Sequence, residues 1–229
     1  MNYKQLRDFS AFVDKEILPA VKDLEKLTDA NRKHVQKLVY TNLVDRFDSA
    51  IDGSLLENCR EDSLVTEASK RLDQPITEAD LLRLLLRSDD LQNALDQRLT
   101  DALRESVLRQ RHSRKLSKLF EVLNPDQECW NSPRVFVSAG TIHNKVKPQV
   151  KTVPHSICGF SDWLYSRRNS IVHGAGTTKF LQNDASQMQK LFGCQPAQRI
   201  RIQLSSTTTA ATFYLSVIHL LVQGDTGDA

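Results

Sequence analysis

Apolar residues return every three or four positions along most of this chain, the spacing of helices that each bury one face. Phe9, Phe12, Val13, Ile17, Val21 and Leu24 make one such stripe, and Val35, Val39, Leu43, Phe47, Ile51 and Leu55 make a longer i,i+4 ridge. Two long helices are predicted there, separated by the cap-type residues Thr28, Asp29 and Asn31, with Pro19 kinking or dividing the first. Residues 61–122 are more charged but still helical, opening one segment on a capping signature at Thr77 and Asp80. Between 124 and 153 the period fails, and prolines and β-branched residues predict a long loop with room for a short strand. Helical spacing resumes from about Pro154 to Gly174, again over roughly 183–192, and in the apolar run "SSTTTAATFYLSVIHLLVQ". The alternation in "RIRIQL" predicts a short strand, and the tail "GDTGDA" reads as disordered.

Composition narrows the class. The 229 residues, 40% apolar and 26% charged with 8 glycines and 7 prolines, fit a globular all-α domain, expected to form one unit over 1–229. Core helices are expected at about 1–60 and 154–223, with an inserted charged helical segment and loop at about 61–153. No apolar run approaches the roughly 20 residues that span a bilayer, and "MNYKQLRDFS" lacks a secretory core, so a cytoplasmic protein with no membrane partner is expected. Cys59, Cys129, Cys158 and Cys194 stand singly without metal-type spacing, so no metal and no cofactor is expected. No GxxxxGK, GxGxxG, GxSxG or HExxH motif occurs, which disfavours P-loop hydrolysis, dinucleotide binding and the hydrolase and zincin chemistries.

The net charge of +3 does not announce a nucleic-acid binder, but local clustering matters more. Arg104, Arg109, Arg111, His112, Arg114, Lys115 and Lys118 make one segment basic, either as a solvated helix face or as a phosphate contact. The stretch "YSRRNSIVHG", residues 165–174, crowds two arginines, an asparagine and a histidine where a helix stops at a glycine. Arg168 and His173 form an RxxxxH pattern with Asn169 directly after the arginine, behind an apolar face of Ile157, Phe160, Leu164 and Ile171.

In "RRNSIVHG", and in the layout of a long helix, a motif helix and a terminal helix, the chain resembles the HEPN superfamily of helical bundles, many of them ribonucleases. The resemblance covers roughly 1–60 and 154–223 and leaves 61–153 unexplained. It implies a HEPN-like bundle and a metal-independent endoribonuclease, with Arg168, Asn169 and His173 at the site and an acidic residue on the preceding long helix. Asp45 and Asp48 are the candidates for that acid, and Asp48, which borders the apolar face, is preferred. A tyrosine that some members carry two residues past the histidine is Ala175 here.

In such a site His173 would move a proton during attack of a ribose 2′-hydroxyl on the adjacent phosphate. Arg168 would hold the phosphate, and Asn169 would orient one of its oxygens. Because one such helix end offers a single histidine, a homodimer with shared catalysis is favoured. Arg109, Arg111, Arg114, Lys115, Lys145, Lys147 and Arg167 would line the RNA cleft. A toxin–antitoxin or phage-defence role, with a neutralising or regulatory protein partner, goes with this reading. The alternatives are a HEPN-like dimerisation or RNA-binding module that no longer cuts, and a plain helical scaffold. In the scaffold, Arg168 would pair with Asp162 or Asp48, and His173 would cap its helix.

Overall fold

A computed structural model describes residues 1–71, 77–87, 91–125, 129–148, 150–174, 179–197 and 199–223, with only the backbone of Ala30, Leu84, Arg87 and Cys129. Ala175 and the tail "GDTGDA" lie outside the described residues. The described chain is mostly helical with one small hairpin. Among the described residues no helix is long and apolar enough to cross a membrane.

The first stripe forms α1 (Lys4–Phe12), a π-helical turn at Val13–Ile17, and α2 (Leu18–Leu24). Pro19 sits in the first turn of α2, where its missing N–H costs no ladder bond because the π turn has already shifted the register. The ridge becomes α3 (Asp29–Glu57), whose Tyr40, Leu43, Val44, Phe47, Ile51 and Leu55 are fully buried. Phe47 stacks on Tyr214 of α10 (Leu204–Gln223) at 4.0 Å, and both rings contact Phe9 edge-on, which draws α1, α3 and α10 together.

The charged middle of the chain also contributes to the core. It holds α4 (Asp62–Ser69), α5 (Glu78–Arg87), α6 (Leu91–Leu103) with a π turn at Arg104–Leu108, and α7 (His112–Leu123). Leu116, Leu119, Phe120 and Leu123 of α7 enter the same buried cluster as α3 and α10. α5 differs: Leu81, Leu82, Leu85 and Leu86 remain exposed.

The long connection contains β1 (Val135–Phe136) and β2 (Thr141–Ile142), antiparallel with Val135 opposite Ile142 and Phe136 opposite Thr141. Its turn needs Gly140, at φ +76°, where a Cβ would sit 2.2 Å from the Thr209 carbonyl oxygen of α10. Trp130 is a core anchor, stacked on Phe120 and donating to Ser117 Oγ at 2.9 Å. His155 is buried between the carbonyls of Val135 and Val150, which tie the hairpin to the start of the next helix.

That helix, α8 (Ile157–His173), begins where Ser156 Oγ accepts from the Gly159 N–H at 3.1 Å. Tyr40 of α3 donates to the Leu164 carbonyl at 3.0 Å and fixes α8 against α3. α9 (Gln182–Phe192) folds back over α8, held by the Leu181 N–H donating to Ser170 Oγ at 3.1 Å. "RIRIQL" is not a strand: Arg201–Gln203 are irregular and Leu204 already begins α10, because among the described residues no neighbouring strand offers a ladder there.

Candidate functional site

Three helices converge on the second half of α8. α3 contributes Asp45, Asp48 and Asp52, which lie three and four residues apart and so share a face. α7 and the residue before it contribute Arg111, His112 and Lys115. α9 contributes Asp184.

His112 is fully enclosed, its Nδ1 2.6 Å from Asp48 Oδ1 and its Nε2 2.7 Å from Ser161 Oγ. Its ring stacks on Tyr165 at 4.9 Å with the planes 3° apart. Lys115 Nζ bridges Asp48 Oδ1 and Asp52 Oδ1, both at 2.7 Å. Burial pushes the Asp48 carboxyl up, but the hydrogen bond and charge of His112 together with Lys115 more than offset it and bring it to about 2. At Asp52 burial wins over Lys115 and the carboxyl moves up. Lys115 itself moves up: burial alone would lower it, but the two carboxylates prevail.

Arg111 joins a second set. Its Nε donates to Asp162 Oδ2 at 2.5 Å and its Nη2 to Ser166 Oγ at 3.3 Å, while Nη1 lies 3.6 Å from Asp184 Oδ1. Asp162 is fully buried, and burial raises its carboxyl despite Arg111. Asp48, Asp52, Arg111, His112, Tyr165 and Asp184 are among the residues that line a cavity of about 320 Å³ in this region.

The motif lies alongside. Arg168 Nη2 donates to Asp45 Oδ2 at 3.0 Å, and its Nε is 2.5 Å from Oδ1 without the alignment of a hydrogen bond. Arg168 Nη1 donates to Asn169 Oδ1 at 3.2 Å, and its guanidinium lies 5.9 Å from the Tyr165 ring centre. Asn169 in turn donates to Asp184 Oδ2 at 3.3 Å. His173, the last residue of α8, is exposed and borders an open cavity of about 440 Å³ with Asn169, Leu181, Gln182, Asn183 and Asp184. No protein-family model, curated protein or solved structure matches the chain.

The acid that meets Arg168 is therefore Asp45, whereas Asp48 is taken by His112 and Lys115. The helical wheel favoured Asp48 because it borders the apolar face; that border is where α7 packs, so its polar residue pairs with α7. Arg168 also departs from the plain scaffold, in which Asp162 or Asp48 would be its partner. The basic segment is split: Arg104, Arg109 and Arg114 are exposed, while Arg111, His112 and Lys115 turn inward to carboxylates. Arg109 also pairs with Glu105.

Arg167 does not face a cleft. It is buried, donates to the Arg201 carbonyl at 2.6 Å, and lies 4.4 Å from the Trp163 ring centre. Lys145 and Lys147 are exposed on the segment after the hairpin, and neither borders the cavities at the end of α8. His112, Asp162, Tyr165 and Asp184 are site residues that the motif alone does not indicate. A signal existed: acids at 48 and 52 and bases at 112 and 115 have matched i,i+4 and i,i+3 spacing, as two facing helices require.

The Asp48, His112 and Ser161 contacts have the connectivity of a nucleophile triad, but Ser161 is 0% exposed and, unlike its neighbour Asp162, does not line the cavity. No substrate carbonyl reaches its Oγ, so the set acts as a structural clamp between α3, α7 and α8.

Proposed function

We propose that the protein is a metal-independent endoribonuclease with a HEPN-like bundle, its site formed by Arg168, Asn169 and His173. The observation that carries the reading is the arrangement at the end of α8. Arg168 is oriented by an acid of the long helix α3, Asn169 bonds both Arg168 and the rim residue Asp184, and His173 borders an open cleft.

His173 takes the proton of a ribose 2′-hydroxyl or returns one to the leaving 5′-oxygen; imidazole does both near neutral pH. The 2′-oxygen–phosphorus bond forms, the phosphorus–5′-oxygen bond breaks, and Arg168 stabilises the charge on the phosphate oxygens. Along an α-helix Arg168 and His173 point about 140° apart at 100° per residue, so one chain does not aim both at one phosphate. Two copies related by a two-fold axis supply a complete set. A toxin or phage-defence role, in the cytoplasm and under a neutralising partner, is the setting that suits such an enzyme.

A second reading has an observation of its own. Arg168 is already engaged by Asp45 and Asn169, as in a module that binds RNA or its own copy without cutting. Incubation with total RNA separates the two. Cleavage that persists with chelator and disappears in His173→Ala, leaving 2′,3′-cyclic phosphate and 5′-hydroxyl ends, is the expected result. Intact RNA that is nevertheless retained by the protein would establish the second reading.

A further inference from the structure

The 320 Å³ cavity between α3, α7, α8 and α9 takes no part in the proton transfers above, yet it abuts them, because Asn169 and Asp184 border both it and the cleft of His173. Its size is at the lower end for ligand sites, roughly 300–1,000 Å³, which suits a single planar base better than a stretch of chain. The walls are preformed. Tyr165 is stacked against His112, and His112 is pinned at both ring nitrogens.

The polar groups have a definite order. Asp162 lines the cavity with its side chain 1% exposed, and although Arg111 occupies Oδ2, its Oδ1 has no hydrogen-bond partner. A buried carboxylate oxygen left without a donor is unfavourable unless a ligand supplies one. Asp184 is a second acceptor held loosely, at 3.3 Å by Asn169 and 3.6 Å by Arg111. Arg111 Nη1, beyond hydrogen-bond reach of Asp184, is a donor beside them. The ligand that matches presents two N–H donors next to one acceptor. Guanine does so through N2, N1 and O6; adenine and cytosine offer one donor beside an acceptor, and uracil one donor between two acceptors. A cationic ligand would meet Arg111 and Lys115, and among the described residues no three ligating side chains are grouped to hold a metal ion.

We propose that this cavity is a guanine-binding subsite, which holds the base on the 5′ side of the scissile phosphate. Its placement on RNA rests on the ribonuclease reading, whereas its recognition of the base does not.

Calorimetric titration of the intact His173→Ala chain with guanosine, adenosine, cytidine and uridine 3′-monophosphates tests the recognition without cleavage. Guanosine 3′-monophosphate should bind at least about tenfold more tightly than the other three. Asp184→Asn at the rim, and Asp162→Asn where it folds, should remove that preference, the rim variant keeping the parent's thermal midpoint. Equal binding of all four, or none of the guanosine form, overturns the subsite. Guanosine selectivity in a protein that cuts no RNA would leave the subsite standing and defeat the ribonuclease reading. Cleavage whose cyclic-phosphate ends carry all four bases equally, with no guanosine selectivity in binding, would do the reverse.

Discussion

Arg168 on α8 reaches Asp45 on α3, 123 positions earlier in the chain, with Nη2 and Oδ2 3.0 Å apart. The pair is half open to water, since 43% of the Asp45 side chain is exposed. Such a contact contributes about 1 kcal/mol or less to stability, so its use lies in orientation. Arg168→Lys keeps the charge but loses the fork that meets Asp45 and Asn169 together. On the proposed ribonuclease reading, the expected outcome is a loss of about a hundredfold in cleavage, with a denaturation midpoint close to that of the parent. An equal fall in both would make Arg168 a structural residue.

The angular separation of Arg168 and His173 leads to a mixing experiment. Arg168→Ala and His173→Ala chains, each inactive alone, should regain a measurable fraction of cleavage when unfolded together and refolded, since some heterodimers carry one intact pair. Full activity in a chain that stays monomeric at the assay concentration would remove the composite site.

Acid sensitivity follows from Asp48. Its carboxyl titrates at about 2 in the folded protein against an ordinary 3.8, so the unfolded chain binds protons first. The stability this group contributes, about 2 kcal/mol, is present above pH 3.8 and is lost as pH falls through 2. Asp52 and Asp162 are moved up by burial and act in the opposite sense, which flattens the overall acid limb. The difference between the parent and Asp48→Asn isolates the contribution. In urea titrations it should be largest near pH 5 and shrink towards pH 2, whereas a constant difference would contradict the assigned pairing with His112 and Lys115.

Two glycines at positive φ separate backbone strain from crowding. Gly193, at φ +63° after α9, has open space where a Cβ would go, so Gly193→Ala should cost about 1 kcal/mol. Gly140 has the same kind of backbone and also meets the Thr209 carbonyl, so Gly140→Ala should cost roughly 2 kcal/mol or more and loosen the hairpin from α10. Thermal denaturation of the two variants gives the comparison directly.

Helices were legible in the sequence because periodicity reports burial of one face, and α1 and α7 carry it clearly, while α3, α8 and α10 bury more than one side. The end of α8 was legible for a different reason: Gly174 and the preceding polar cluster mark a terminus wherever the helix happens to pack. What could not be read was pairing between distant elements. Nothing local says that His112 sits inside the protein against Asp48, or that Arg167 points to Trp163 while its neighbour Arg168 points to Asp45. A basic run looks the same whether carboxylates or water face it, so the segment 104–118 read as one surface although three of its charged or titratable side chains turn inward. "RIRIQL" misled because alternation describes a strand only if a partner strand is there.

The first turn of α7 holds two neighbours at once, through Arg111 to α8 and through His112 and Lys115 to α3. It therefore works as a rivet driven through the bundle from outside. Exposed positions such as Leu81, Leu82, Leu85 and Leu86 of α5 can change without disturbing the end of α8, but the buried Leu64 and Ala68 of α4 and Leu103 of α6 cannot, and neither can the chain beyond residue 111. Past that point, a deletion or a bound molecule that shifts α7 by a fraction of a turn would swing α8 and α3 against each other and misalign Arg168 from a distance.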